Sequence, residues 1–396
     1  MPERINLFLQ DVRRDPYPTY AELRRRGAVV EVDPGGVLAV SRFEDVQYVI
    51  RNPKLFSSEG FAALLAPAWL PHNPMANSIL GKDDPAHAKL RALVNRAFTS
   101  KSIERLEPRM REIVAEHSQR LKTLGECDYI VEYALPIPAK VIAELIGVNP
   151  ALYRDIKRWT DALSMIGPVP PAEELVAYIR GELQEMEAYL QDVVTARRKN
   201  PENDMVTTLV QAVADGQALT DEEIISFLFL LLPAGFETTH HLLANAMQAF
   251  IARPDDFARL RADPGLVPSF VDELLRHDGS IHGLLRIATT DTEIGGTKVP
   301  QGAMLLLLPA SANRDESKFP DPDRFDMSRN SMGGLSLGHG VHYCLGAALA
   351  RMQARLAIEE LARCFRGFEL LPGEIRWNTA IVVRGPTALP IRVIPA

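Results

Sequence analysis

Residues 335–356 read LSLGHGVHYCLGAALARMQARL, a glycine-rich run, a cysteine, and then a stretch with helical spacing. The glycines around Cys344 permit tight backbone turns, and apolar residues recur at helical spacing after it. The cysteine is therefore predicted at a helix N-terminus, where free N–H groups and the helix dipole favour the thiolate, the form that binds metal. The alternative is a small buried cysteine at a helix start. The flanking glycines and His342 favour the metal-ligand interpretation.

The composition is that of an ordinary globular protein, with 396 residues of which 46% are hydrophobic and 24% charged. A net charge of -7 argues against non-specific nucleic-acid binding. Cys127, Cys344 and Cys364 lie far apart, which favours neither a disulfide framework nor a zinc site and predicts a cytoplasmic protein. The most apolar run, Ile224–Phe236, is shorter than the ~20 residues that span a bilayer. We therefore expect no nucleic-acid partner and no membrane anchor.

The pattern along the chain predicts a mainly helical fold with small sheets, an α+β protein. Ala28–Ser41 contains two strand-like runs around a Pro-Gly-Gly turn, and helical periodicity dominates from Arg42 to about His277. Further strands are expected at Thr292–Ile294, Met304–Leu308 and Ile381–Val393. Because no linker or repeat is visible, residues 1–396 are predicted to form a single domain.

The cysteine region resembles the haem-binding loop of the cytochrome P450 family of haem-thiolate monooxygenases, F-G-x-G-x-H-x-C-x-G. The matching residues are Gly338, Gly340, His342, Cys344 and Gly346. Leu337 stands where the family usually has an aromatic residue, which bears on the tuning of the iron. The resemblance covers nearly the whole chain. It implies a haem b buried between a long central helix and the helix after the cysteine loop, with Cys344 as the axial ligand of the iron.

The segment LLLPAGFETTHHL at residues 230–242 resembles the family's A-G-x-D/E-T-T motif in that central helix. Thr220 and Glu223 form a capping-box pattern that predicts the helix start. One helical stripe contains Phe227, Leu231, Ala234, Thr238 and Leu242. Pro233 and Gly235 are expected to open the helical hydrogen bonds locally beside Thr238.

Taken alone, this segment could equally be a buried helix with a polar patch. The resemblance implies that Ala234 lies beside the haem. It also implies that Glu237 and Thr238 act as the catalytic acid–alcohol pair, which supplies protons during oxygen activation.

Two further motifs match the family in the expected order. VDELLR at residues 271–276 fits E-x-x-R, and PDRF at residues 322–325 fits the later arginine-bearing motif. The resemblance implies a structural cluster of Glu273, Arg276 and Arg324. A Glu–Arg pair three residues apart on a helix is otherwise most often a solvated surface pair.

Haem carries two propionates, and burying them requires cationic or hydrogen-bonding partners. Four side chains fall where family members hold these groups: His87, Arg91, Arg286 and His342. Taken singly, each arginine is better explained as a surface residue, and each histidine as a core residue whose hydrogen bonds are formed within the protein. Because all four match the family's propionate-binding positions, the haem interpretation is favoured.

The implied function is a monooxygenase that inserts one oxygen atom of O2 into an apolar small molecule, by hydroxylation or epoxidation. Tailoring of a lipid, terpene or polyketide-like metabolite is the expected role. Family topology suggests the substrate contacts Leu65, Trp69, Phe227, Leu231, Ile281, His282, Leu284 and Ile381.

The sequence shows no flavin or iron-sulfur segment, so electrons are expected to pass from NAD(P)H through a separate ferredoxin or flavodoxin with its reductase. A basic face would suit an acidic donor, and a solvated helix face is the alternative. Its members are Lys89, Arg91, Arg96, Lys101, Arg105, Arg109, Arg111, Arg351 and Arg355. A monomer is expected.

Two other functions are weighed. A peroxide-driven haem-thiolate peroxygenase would not need the pair Glu237 and Thr238, which peroxygenase relatives typically lack. A non-enzymatic haem-based ligand sensor would need an output segment, and none is visible in the sequence.

Overall fold

The computed structural model describes residues 4–33, 35, 37–95, 98–167, 169–214, 217–331 and 333–396. Pro34 and Gly36 of the predicted turn, and Arg96 of the predicted basic face, lie outside the described residues. The helices are α1 (Gln10–Arg14), α2 (Tyr17–Arg26), α3 (Phe43–Arg51), α4 (Glu59–Leu65), α5 (Ala86–Asn95), α6 (Ser100–Glu104), α7 (Glu107–Leu124), α8 (Pro136–Ile146), α9 (Tyr153–Ser164), α10 (Glu173–Lys199), α11 (Met205–Gln211), α12 (Asp221–Ala252), α13 (Pro254–Ala262), α14 (Val267–Asp278), α15 (Pro309–Ala312) and α16 (Ala347–Cys364). The strands are β1 (Ile5–Asn6), β2 (Val29–Asp33), β3 (Val37–Val40), β4 (Phe56–Ser57), β5 (Glu126–Asp128), β6 (Val213–Ala214), β7 (Gln217–Ala218), β8 (Leu284–Ala288), β9 (Thr292–Ile294), β10 (Thr297–Val299), β11 (Met304–Leu307), β12 (Phe365–Leu370) and β13 (Pro390–Pro395).

The fold is mainly helical with small sheets, as predicted. The two strands expected within Ala28–Ser41 are β2 and β3, which pair antiparallel. The strands expected at Thr292–Ile294 and Met304–Leu308 are β9 and β11. The strand expected over Ile381–Val393 is largely wrong, because the regular strand is Pro390–Pro395 and Ile381 lies in irregular backbone. The sequence interpretation also missed β8 and β12.

The chain divides into two compact units. The first comprises Met1–Phe56, Glu107–Pro138 and Thr238–Ala396, and the second comprises Ser57–Leu106 and Ala139–Glu237. The prediction of a single domain stays a prediction. Within the described part of the chain, no helix is both long and apolar enough to cross a membrane.

In the first unit, a mixed sheet has the order β1-β2-β3-β11-β8-β4. Strand β11 pairs parallel with β3 and antiparallel with β8. Helix α3 buries Val46, Val49 and Ile50 on one face, in a core that also contains Leu305 and Leu307 of β11. This packing holds β8 and its flanking residues in place.

A second sheet of the first unit has the order β12-β13-β5. Helix α16 packs against α7, α13 and α14, and its buried face includes Leu349, Leu356 and Leu361. These contacts fix the helix that follows the cysteine loop.

The second unit contains α9, α10 and α11, which pack together, and the short β6–β7 hairpin. Arg158 of α9 pairs with Glu182 and Glu185 of α10. Helix α12 begins in this unit and continues into the first. Its residues up to Glu237 belong to the second unit, and those from Thr238 onward belong to the first.

Candidate active site

The cysteine loop closes on itself just before α16. The Cys344 N–H donates to the Leu337 carbonyl over 2.9 Å, and the Ala347 N–H lies 3.4 Å from the Cys344 carbonyl. Gly338 and Gly340 have φ values of 71° and 67°, a region that favours glycine. Helix α16 begins at Ala347, so the predicted position of Cys344 at a helix N-terminus is confirmed to within one turn.

The loop leaves open space at Gly346, two residues after Cys344. Cys344 is half-buried and forms no disulfide. No atom lies within 4 Å of the position that a Cβ would take at Gly346. A separate surface cavity of about 300 Å³ lies against the same loop, and its lining includes Leu337, Tyr343 and Arg351 but not Cys344.

Two of the four side chains predicted for propionates belong to the same unit as Cys344. Arg286 on β8 is only 5% exposed, and its Nη1 donates to the Leu285 carbonyl over 2.7 Å. His342 is half-buried at the end of the 3-10 turn Gly340–His342. A buried guanidinium of this kind can form charge-assisted hydrogen bonds to carboxylates.

The other two predicted propionate residues lie on α5 in the second unit. His87 is 2% exposed, with its Nδ1 3.3 Å from Asp84 Oδ1. Arg91 follows one turn later and is half-buried, so the two side chains share one face of α5.

The central helix α12 begins as predicted. The Thr220 N–H donates to Glu223 Oε2 over 2.9 Å, and the Glu223 N–H donates to Thr220 Oγ1 over 3.1 Å. From Ile224 to Phe250, Ala234 is the exposed residue in an otherwise buried or half-buried helix. An exposed alanine at the centre of a buried helix marks space for a ligand there, which fits the predicted haem contact.

Helix α12 is continuous through Pro233 to Ala252. The local opening expected beside Thr238 stays a prediction. A Cβ at Gly235 would lie 2.6 Å from Ile142 Cδ1 of α8. Gly235 therefore lets the Ile142 side chain of α8 pack closely against α12, a contact that sequence spacing did not reveal.

Glu237 and Thr238 are adjacent and half-buried on α12. Ser164 Oγ, at the end of α9, lies 3.1 Å from Glu237 Oε1 and 3.2 Å from Oε2. Burial raises the pKa of Glu237 to about 7, and the hydrogen bond from Ser164 opposes that rise. The carboxyl can therefore take up and release a proton near neutral pH. Sequence reasoning missed Ser164, which is distant in sequence and belongs to no motif.

The predicted substrate contacts fall into two groups. In the second unit, Leu65, Phe227 and Leu231 are buried. Trp69 is half-buried, and its Nε1 donates to the Gly167 carbonyl over 2.9 Å. Their role as substrate contacts stays a prediction.

In the first unit, Ile281 forms a β-bridge with Val383. Ile281, Leu284 and Ile381 are all half-buried, and the segment containing the first two lies beside the loop that carries Ile381. The structure therefore brings together two short segments that the sequence analysis named separately.

A buried contact anchors the Ile381 loop to α12. Asn378 Nδ2 lies 3.3 Å from His241 Nε2, and the Gly385 N–H lies 3.3 Å from Asn378 Oδ1. A Cβ at Gly385 would overlap the imidazole of His241. Glycine is therefore required where the loop crosses the helix.

His282 was predicted as a substrate contact, and this prediction is wrong. The side chain is completely buried, with its Nδ1 3.0 Å from the Tyr20 hydroxyl. Its ring also packs against Tyr17. Burial holds the pKa of His282 well below its usual value, and Arg384 adds to this effect. The imidazole is a neutral part of the core.

Glu273 and Arg276 form a fully buried ion pair, as predicted. Arg276 Nε and Nη2 donate to the two carboxylate oxygens over 2.7 Å each. The Asp326 N–H and the Ser331 hydroxyl complete the set of donors to Glu273. Burial alone would raise the pKa of Glu273, but these hydrogen bonds outweigh it and the pKa is lowered.

The prediction that Arg324 completes this cluster is wrong. Its side chain is 70% exposed and lies 3.7 Å from Asp326, and only its backbone carbonyl accepts from Arg276. Arg329 is the third member, with its Nε 3.4 Å from Glu273 Oε1 and a side chain only 13% exposed. The chain turns after Arg324, so the later arginine reaches the carboxylate.

Four of the nine members of the predicted basic face form ion pairs. Arg111 lies 2.6 Å from Glu107, and Arg355 lies 3.0 Å from Glu359 and 3.3 Å from Glu107. Arg109 pairs with Glu112, and Arg351 pairs with Asp272. In the second unit, Lys89, Lys101 and Arg105 are exposed. The carboxylates of α7, α14 and α16 offset the arginine charges at these four positions. The role of the whole face in docking a redox partner stays a prediction.

No group of three or more His, Cys, Asp or Glu side chains that could hold a metal ion occurs within the described ranges.

Comparisons with known proteins agree with this geometry. The family model for cytochrome P450 matches residues 171–379. The chain is 36% identical over 392 residues to the cytochrome P450 monooxygenase PikC of Streptomyces venezuelae, covering 97% of this chain and 92% of that protein. It is 34% identical to a vitamin D(3) 25-hydroxylase of Pseudonocardia autotrophica, covering 99% and 97%. The structure of cytochrome P450 CYP109Q5 from Chondromyces apiculatus superposes with a TM-score of 0.92 at 39% identity, covering all of both chains.

Proposed function

Because this chain belongs to the cytochrome P450 family, whose relatives are named monooxygenases, we propose that it inserts one oxygen atom of O2 into a bulky apolar molecule. Hydroxylation of a C–H bond and epoxidation of a C=C bond are the two reactions in view. The observation that carries the proposal is the closed loop that presents Cys344 immediately before α16.

The residues present fit a haem b. Cys344 would hold the iron through its sulfur, beside the open position at Gly346. Arg286, His342, His87 and Arg91 would hold the propionates, since each is a partly or fully buried cation or hydrogen-bond donor. When bound, the haem would supply the oxidising chemistry.

The chain itself would supply protons and exclude water. Glu237 has a pKa near neutrality, which suits a group that must both accept and release protons. Thr238 is its neighbour on α12, and its Oγ1 would hold a proton within the site. Ala234, which is exposed at the centre of α12, would leave room beside them.

A bulky alicyclic substrate, of the sterol, terpene or polyketide type, is the class that we favour. Ile281, Leu284 and Ile381 are apolar, half-buried and adjacent in the first unit. Leu65, Trp69, Phe227 and Leu231 remain proposed substrate contacts. The vitamin D(3) 25-hydroxylase similar to this chain is named for a substrate of that shape.

Electrons would pass from NAD(P)H through a ferredoxin or flavodoxin and its reductase. The ion pairs of Arg109, Arg111, Arg351 and Arg355 weaken the argument from charge. Near the cysteine loop, Val341 and Tyr343 are 42% and 43% exposed. A docking surface there would rest on apolar contacts as much as on charge.

The decisive test compares two cysteines. In the reduced protein with carbon monoxide, we expect the Soret band that is diagnostic of a thiolate ligand. Cys344→Ala should lose this band, because it removes the sulfur ligand. Cys364→Ala should keep it, since that thiol lies at the end of α16 and contacts Glu360. A Cys344→Ala protein that retained the band would refute the axial assignment.

A further inference from the structure

Ser164 is the last residue of α9 and the hydrogen-bond partner of the Glu237 carboxyl. Its side chain is exposed, whereas that of Glu237 is half-buried. The same hydroxyl also lies 3.0 Å from the Thr160 carbonyl. Ser164 therefore links the half-buried Glu237 carboxyl to a side chain that solvent reaches.

A serine hydroxyl has one proton to donate and oxygen lone pairs that accept. When Glu237 is ionised, the Ser164 hydroxyl donates to the carboxylate, because a hydrogen bond to a charged acceptor is the stronger one. When Glu237 is protonated, its O–H donates to Ser164 Oγ, and the Ser164 hydroxyl turns to the Thr160 carbonyl. Each protonation state of Glu237 has a complete set of partners.

We propose that Ser164 is a positioning residue for the reaction, one that orients the Glu237 carboxyl and carries protons between it and solvent. The inference rests on the function proposed above. In the transfer, a hydronium ion in the contacting solvent gives a proton to Ser164 Oγ and becomes water, as the existing Oγ–H bond breaks and an Oε–H bond forms on Glu237. The hydroxyl is restored, and the net change is one proton moved from solvent to the carboxylate.

The charges around Glu237 are consistent with this role. Besides burial, Asp161 raises its pKa and Lys157 lowers it. Both residues lie on α9 and pair with each other, so their effects on Glu237 oppose. Helix α8 packs against the neighbouring Gly235 through apolar Ile142.

The charged residues of α8 are Lys140 and Glu144. Over the described ranges, Glu237 receives no hydrogen bond from an arginine or lysine. A carboxylate bound directly to a guanidinium would hold its charge and exchange protons poorly at neutral pH. A neutral hydroxyl leaves Glu237 able to titrate where the enzyme works.

The test is an infrared titration of the haem-loaded protein. The C=O band of protonated Glu237 is identified as the band that Glu237→Gln lacks, and its midpoint is followed with pH. Ser164→Ala removes the donor to the ionised form, so the midpoint should rise by about one pH unit. Ser164→Thr keeps a hydroxyl and should restore the parent midpoint. Ser317→Ala, an exposed serine elsewhere, is the matched control and should not shift it.

A second readout is the solvent isotope effect on product formation, which should increase in Ser164→Ala and return in Ser164→Thr. If Ser164→Ala titrates at the parent midpoint, the inference is overturned. If the midpoint shifts as expected but Glu237→Gln leaves product per reductant unchanged, the titration link stands and the proposed catalytic role of Glu237 fails. Ser164 is exposed at the end of α9, so its variants should fold, and thermal unfolding of each variant checks this.

Discussion

Glu273 and Glu237 are both shielded from solvent, and their surroundings shift their pKa values in opposite directions. Glu273 is fully buried and accepts hydrogen bonds from Arg276, Arg329, Ser331 and the Asp326 N–H. Its pKa is lowered.

Glu237 is half-buried and accepts from one serine hydroxyl, and its pKa rises to about 7. The difference shows that the number and charge of the donors, more than burial itself, decide whether a carboxyl stays ionised. One glutamate is built to hold a charge, and the other to exchange a proton.

The largest effect is expected when the buried pair is broken. Arg276→Ala leaves Glu273 as a buried charge without its main partner, which should cost about 3 to 5 kcal/mol of unfolding free energy. Arg324→Ala is the control, because that side chain is 70% exposed, and it should change stability by less than about 0.5 kcal/mol. Denaturant unfolding measures both losses of stability. Equal losses would show that the Arg324 side chain does contribute to the Glu273 cluster.

A smaller effect is expected at the third member of the cluster. Arg329→Ala removes one charged donor to Glu273 and should cost about 2 kcal/mol at pH 7. Because the folded pKa of Glu273 is lowered, its ionised form contributes stability above the unfolded value, and this is lost as the pH falls through the folded value. The difference between parent and variant should therefore shrink in acid. A pH-independent difference would show that Arg329 acts only through packing.

The smallest expected change in unfolding free energy concerns Glu237, and its dependence on pH is opposite to that of Glu273. Its folded pKa of about 7 exceeds the ordinary 4.5, so the native state holds a proton that the unfolded chain releases between these values. The stability of the parent should fall as the pH rises through this window. Glu237→Gln lacks the titration and should be more stable than the parent at pH 8 by on the order of 1 kcal/mol. Parallel stability curves for the two proteins would contradict the raised pKa.

Features with a local spacing could be predicted from the sequence. The capping box of Thr220 and Glu223, the hairpin of β2 and β3, and the pair of Glu273 and Arg276 all depend on residues a few positions apart. The cysteine loop belongs with them, because its glycines and Cys344 lie within one short segment. Such patterns fix geometry before any tertiary contact forms.

Features that depend on distant segments were missed. Ser164 reaches Glu237 from another helix, and Asp272 of α14 pairs with Arg351 of α16. His282 is taken into the core by Tyr20 of α2. In each case the partner lies far away in sequence, so no spacing rule links the two residues. The choice of Arg329 over Arg324 likewise depends on the path of the intervening chain.

The contact between Gly385 and His241 limits which positions can be varied when the substrate specificity is changed by laboratory evolution. Ile381 lies in a loop whose two ends are tied down, by the Ile281–Val383 bridge and by Asn378 against His241. Libraries that vary Ile381 alter a half-buried side chain and leave the anchor intact. Libraries that vary Gly385 insert a side chain into the imidazole of His241, so most of their members will carry a displaced loop whatever the residue at 381.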